Sequence, residues 1–116
     1  ITAFDHRMST DRIPLLLSYL QDDPRDCFSR YALGLEYFKM NELDKAWGCF
    51  EHLLKHAPDY LPAYYQAGQV LLRLNRPEEA AKALREGIVV ASQQQDEHTR
   101  SELQGALLQL EDPDEG

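Results

Sequence analysis

The chain resembles itself at an offset of 34 residues. Pro24 falls on Pro58, Tyr31 on Tyr65, Gly34 on Gly68, Asn41 on Asn75, Ala46 on Ala80 and Ala57 on Ala91. Each coincidence has a structural use. Glycine inside a helix costs about 1 kcal/mol relative to alanine, so a repeated one marks a place where two helices come close. Asparagine tolerates the left-handed conformation that ends a helix, and a proline just beyond prevents continuation. A unit of this length cannot bury its own apolar face; copies have to stack, and the ends of the stack have to be capped. The 116 residues then divide into two units, 27–60 and 61–94, with a flanking segment on each side.

Apolar spacing inside the units is helical throughout. Asp11–Gln21 carries Ile13, Leu16, Leu17 and Leu20, with Pro14 in its first turn, where proline is tolerated. Cys27–Met40 aligns Leu33, Gly34 and Tyr37; Glu42–His56 aligns Leu43, Ala46, Phe50, Leu53 and Leu54. Tyr60–Leu74 and Pro77–Gln94 repeat the two patterns, and a last helix over Asp96–Leu110 carries Leu103, Ala106, Leu107 and Leu110. Connections of two to five residues make neighbours antiparallel. The expected fold class is all-α: antiparallel helix-turn-helix repeats stacked as a short right-handed solenoid of about six helices. The expected division is a leader at 1–9, foreign to the fold or disordered, then one domain over 10–110, then an acidic tail at 111–116. Within the domain, 10–22 and 96–110 are the N- and C-terminal cap helices.

With Leu33-Gly34-x-x-Tyr37, Ala46, Phe50 and Pro58 in the first unit, and Tyr64, Gly68, Leu71, Ala80, Leu84 and Gly87 in the second, the chain resembles tetratricopeptide-repeat proteins. It is most similar in layout to short bacterial members with two repeats and flanking helices. It departs from the pattern at Arg30, where an aromatic residue is preferred, at Leu53, where a small one is, and at Ser92, which replaces the closing proline.

The resemblance implies a non-catalytic scaffold or adaptor, with a concave groove lined by the first helix of each unit. Carried over position by position, that groove consists of Phe28, Tyr31, Leu35, Phe38 and Lys39, followed by Pro62, Tyr65, Gln66, Gln69, Leu72 and Arg73. It is an aromatic and aliphatic surface with Lys39 and Arg73 at a cationic end, suited to a peptide, a partner helix or a second copy of the chain forming a homodimer. Members that hold heat-shock chaperone tails use a Lys/Asn/Arg clamp where this chain has Tyr31, Leu35 and Gln66, so such tails are disfavoured.

Charge narrows the partner classes. The formal charge is −8, from 12 basic and 20 acidic residues, yet residues 95–116 alone carry −6. The basic residues Arg73, Arg76, Lys82 and Arg85 are interleaved with Glu78, Glu79 and Glu86, which reads as a salt-bridged surface and not as a phosphate-backbone contact. No nucleic acid and no membrane partner is expected, since no apolar run approaches the roughly 20 residues a spanning helix needs. The first residues lack the charged-then-apolar pattern of a secretion signal. Cys27 and Cys49, the only cysteines, fall about 9 Å apart along the axis of the first hairpin, too far for a disulfide. Reduced thiols fit a cytoplasmic setting.

One chemical constellation stands out. Cys49, His52 and His56 lie within about 60° of one helix face, an arrangement of soft and borderline donors that zinc accepts. The alternative reading is therefore a small zinc- or thiol-dependent protein. Three ligands from one straight helix converge poorly, however, and the sequence holds no glycine-rich phosphate loop, HExxH or nucleophile elbow. The expected catalytic set, metal and cofactor are none.

Overall fold

The computed structural model of the chain describes the backbone of residues 2–111 and the side chains of residues 12–111. Among the described residues there are six helices and no strands: α1 (Thr2–Asp22), α2 (Cys27–Lys39), α3 (Leu43–His56), α4 (Pro62–Arg73), α5 (Pro77–Gln93) and α6 (Glu97–Glu111). Boundaries of α2 to α6 fall within two residues of the periodicity-based ones. The backbone of α1 is helical from Thr2, so part of the segment set apart as a leader shares the conformation of the cap helix; residues 112–116 of the expected tail lie outside the described residues. Glu111 closes α6 and accepts an ion pair from Arg85.

Each helix packs on its sequence neighbour, the order required of a stacked array. Three apolar clusters follow one another along the stack. Leu16, Leu20, Ala32, Leu33 and Cys49 join α1 to the first hairpin. Ala46, Phe50, Leu53, Ala63, Ala67, Val70, Leu71, Ala80 and Ala83 join the two hairpins. Leu61, Tyr64, Leu84, Ala91 and Leu103 join the second hairpin to α6.

The turns inside the array share one device. Asn41, Asn75 and Gln95 have φ of 61°, 62° and 59°. At each, the N–H of the left-handed residue and that of the next one donate back into the finished helix: Asn41 to Phe38 and Glu42 to Tyr37, Asn75 to Leu72 and Arg76 to Leu71, Gln95 to Ser92 and Asp96 to Ala91. The otherwise orphaned carbonyls of the last turn are thereby satisfied. The two asparagines were legible in the repeat; the third turn uses a glutamine, a residue that carries no cue for a left-handed turn.

The turns between hairpins are held by side chains. Tyr64 Oη donates to the Pro58 carbonyl at 2.6 Å, and Gln94 Nε2 donates to the Asp59 carbonyl at 2.7 Å. Asp26 caps α2, accepting from the Ser29 N–H at 3.0 Å and its hydroxyl at 2.6 Å. Asp96 does the same before α6, with Thr99, at 3.0 and 2.9 Å.

Candidate functional site

Between α4 and α6 an open groove of about 690 Å³ runs along the array. Tyr65, Gln69 and Leu72 on α4 form one wall, Ser101, Glu102, Gly105, Ala106, Gln109 and Leu110 on α6 the other, and Pro77 at the start of α5 completes the lining. The groove exists because α4 and α6 both pack against α5 but make little contact with each other. Tyr65 is 38% exposed. Gly105 has nothing within 4 Å of where a Cβ would sit, which keeps the α6 wall shallow. Gln69 and Gln109 offer amide donors and acceptors to a bound backbone, and Leu72, Ala106 and Leu110 offer apolar area.

The residues singled out from sequence divide into three groups. Tyr65, Gln69 and Leu72 meet in the groove. Tyr31, Leu35 and Phe38 are half-buried against the central core, with the Tyr31 ring 5.9 Å from Phe50 and 5.7 Å from Tyr60. Gln66 is half-buried, while Phe28, at 69% exposed, is the most open of the large apolar side chains on α2.

The two cations placed at the groove's end are both engaged. Lys39 Nζ lies 3.4 Å from Glu36 Oε2, which Arg12 approaches at the same distance. Arg73 Nη2 donates to Asn41 Oδ1 at 2.9 Å, and its guanidinium covers the Phe38 ring at 5.4 Å from the centroid. Arg73 thus ties the second unit to the first across the turn, and Phe38 is shielded by it. The α6 wall, with Ser101, Glu102 and Gln109, was missed by sequence reasoning because α6 reads as a cap. The signal available was Gly105-Ala106, a pair of small residues in the last helix.

The histidine–cysteine constellation is divided by its surroundings. Cys49 is 7% exposed and packs in the apolar cluster under α1, and burial pushes its thiol up to about 11, so the metal-binding thiolate is disfavoured there. His52 and His56 stay together, rings 4.4 Å apart. The thiol beside them is that of Cys27, in a separate pocket that also contains Arg25 and Arg30. Among the described residues no group of three or more His, Cys, Asp and Glu side chains is placed to hold a metal ion. Cys27 and Cys49 are both free thiols. No described helix is long and apolar enough to cross a membrane.

Comparison with known proteins agrees with this architecture. The model of the family described as anaphase-promoting complex, cyclosome, subunit 3 matches residues 5–87. The human TPR and ankyrin repeat-containing protein 1 is 34% identical over 61 residues; the match takes in 53% of this chain, which spans only 2% of that relative's length. The solution structure of a tetratricopeptide repeat domain protein from Salinibacter ruber superposes with a TM-score of 0.73 at 39% identity, covering 77% of this chain and 90% of the other. PcrH, in complex with the chaperone binding region of PopD, superposes with a TM-score of 0.85 over 97% of this chain and 86% of its own, at 12% identity, a likeness of fold alone.

Proposed function

The chain belongs to the tetratricopeptide-repeat proteins, within the family described as anaphase-promoting complex, cyclosome, subunit 3, and from that premise we propose that it is a non-catalytic protein-binding module whose α4–α6 groove seats an apolar peptide or partner helix. The single observation that carries this reading is the groove itself, about 690 Å³ of preformed space with an exposed tyrosine on one wall and amide side chains on both. Tyrosine supplies large contact area at small entropic cost, and preformed walls reduce the ordering that binding requires. Arg73 and Lys39 contribute by holding the array's shape, since each is already partnered within the chain. The occupant envisaged has apolar side chains at its centre and carries no requirement for a terminal carboxylate, because the groove wall contains Glu102 and, among the described residues, no cation.

A peptide-display selection against the folded chain, counter-selected with Tyr65→Lys, tests this. Enriched sequences should share apolar anchors and lose binding to the Tyr65→Lys variant. Failure of any peptide to enrich, or binding indifferent to that substitution, would overturn the assignment. A dimer in light scattering that Tyr65→Lys dissolves would assign the groove to a second copy of the chain.

A further inference from the structure

Away from the groove, the start of α2 and the end of α3 enclose a pocket of about 530 Å³. It shares no residue with the groove. Its charged and titratable lining consists of Arg25, Arg30, His52, His56 and Cys27, with Pro24, Leu53 and Ala57 as an apolar floor. Among the described residues no carboxylate lines it, in a chain whose acidic residues outnumber its basic ones by 20 to 12.

The pairing pattern sharpens this. Among the eleven Lys and Arg side chains described, eight form ion pairs with Asp or Glu. Arg25, Arg30 and Arg73 do not; Arg73 is bound to Asn41, and the other two converge on this pocket. The neighbouring carboxylates are committed elsewhere: Asp23 accepts the Arg25 backbone N–H at 3.0 Å, and Asp26 caps α2 through Ser29. Glu51, on the same helix as the histidines, pairs with Lys55. Arg30 is held in place by a 2.9 Å bond from Nη2 to the Pro24 carbonyl, which uses one of its five N–H donors. The site therefore collects two guanidiniums and two imidazoles over an apolar base.

We propose that this pocket binds a phosphomonoester, with Arg25, Arg30 and His56 on the phosphate and the organic body against Pro24, Leu53 and Ala57. A dianionic phosphate has the acceptors and the charge to engage that many donors, which a single carboxylate does not. The volume falls in the range of small-ligand sites, roughly 300–1,000 Å³. The family's usual aromatic at position 30 is absent; Arg30 puts the leading donor in its place. Burial first, then Arg30 and His56, hold the His52 imidazole below its usual range, and a bound anion would offset the last two effects.

The test is a titration followed by two-dimensional NMR, with phenyl phosphate, inorganic phosphate and benzoate as parallel probes. Phenyl phosphate should bind saturably, shift the resonances of Arg30, His52 and His56, and raise the His52 titration midpoint. Arg30→Gln and His56→Gln should each weaken it about tenfold or more, whereas Arg85→Gln, which removes the same charge on α5, should leave it unchanged. Because His56 is exposed, His56→Gln tests the site even if Arg30→Gln perturbs folding. Benzoate binding as tightly as phenyl phosphate, inorganic phosphate binding as tightly as the ester, equal loss in Arg85→Gln, or no saturable shift would each overturn the proposal.

Discussion

Gly34 meets the ring of Phe50 so closely that a Cβ at Gly34 would lie 2.7 Å from both Cε1 and Cζ. Phe50 is wholly buried in the cluster that joins the two hairpins, so the ring cannot swing aside without disturbing both units. Gly34→Ala should therefore destabilise the chain by about 1–3 kcal/mol, the cost of overpacking, despite alanine's better helix propensity. Gly48 is the contrast: it is exposed on α3 with nothing within 4 Å of its Cβ position. There alanine should stabilise by about 0.5–1 kcal/mol. Urea unfolding of both variants checks the pair; stabilisation by both would mean that the hairpin packing is looser than the structure has it.

Gln95 occupies the same left-handed conformation as Asn41 and Asn75 without their tolerance for it. Gln95→Gly should raise stability by about 1 kcal/mol, because a side-chain-bearing residue pays roughly that much in this region. The Gln95 and Asp96 N–H bonds into α5 should persist, visible as unchanged amide protection in hydrogen exchange.

The two thiols should react at different rates. Cys49 is buried and its thiol is raised from 9.0 to about 11, whereas Cys27 is half-buried beside the pocket. Iodoacetamide at neutral pH should modify Cys27 first, and mass spectrometry of the intact chain followed by peptide mapping reads the order. The raised Cys49 value also has a stability consequence. A thiol that is harder to ionise when folded lends stability that is whole below pH 9.0 and is lost as pH climbs through about 11. The loss attributable to Cys49 is on the order of 2 kcal/mol. Tyr60 and Tyr64, raised chiefly by burial, act in the same direction, so Cys49→Ala should lessen the alkaline slope without abolishing it.

Acid should loosen the helix starts. The Ser29 hydroxyl and N–H hold the Asp26 carboxyl below the usual carboxylate range, and the Thr99 N–H and hydroxyl do so for Asp96. Groups lowered in this way lend stability above their unfolded value near 3.8, lost as pH falls through the folded one. Asp26→Asn and Asp96→Asn should retain most of the cap at pH 7 and flatten the acid limb, whereas the alanine variants should lower the melting temperature at both ends of the range. Thermal unfolding monitored by circular dichroism at pH 7 and about pH 3 separates the two outcomes.

Much of the molecule was fixed by its sequence. The offset that superposes Gly34 on Gly68 and Asn41 on Asn75 gave the helix count, the antiparallel hairpins and two of the three left-handed turns, because each of those features depends on residues near one another in the chain. What lay beyond sequence was how helices from different units share space. Tyr31 reads as a groove residue, but its ring lies against Phe50 and Tyr60 of its own unit, where it is half-buried on the core that joins the two hairpins. Arg73 reads as a free cation, but folding brings it to Asn41 and Phe38 of the preceding unit. Cys49 and the two histidines lie on one face in sequence, yet in the fold the Cys49 thiol is buried under α1, while Cys27, Arg25 and Arg30 line the pocket that holds the imidazoles. Periodicity assigns a side chain to a face of its own helix; only the neighbouring helix decides whether that face is core, groove or pocket.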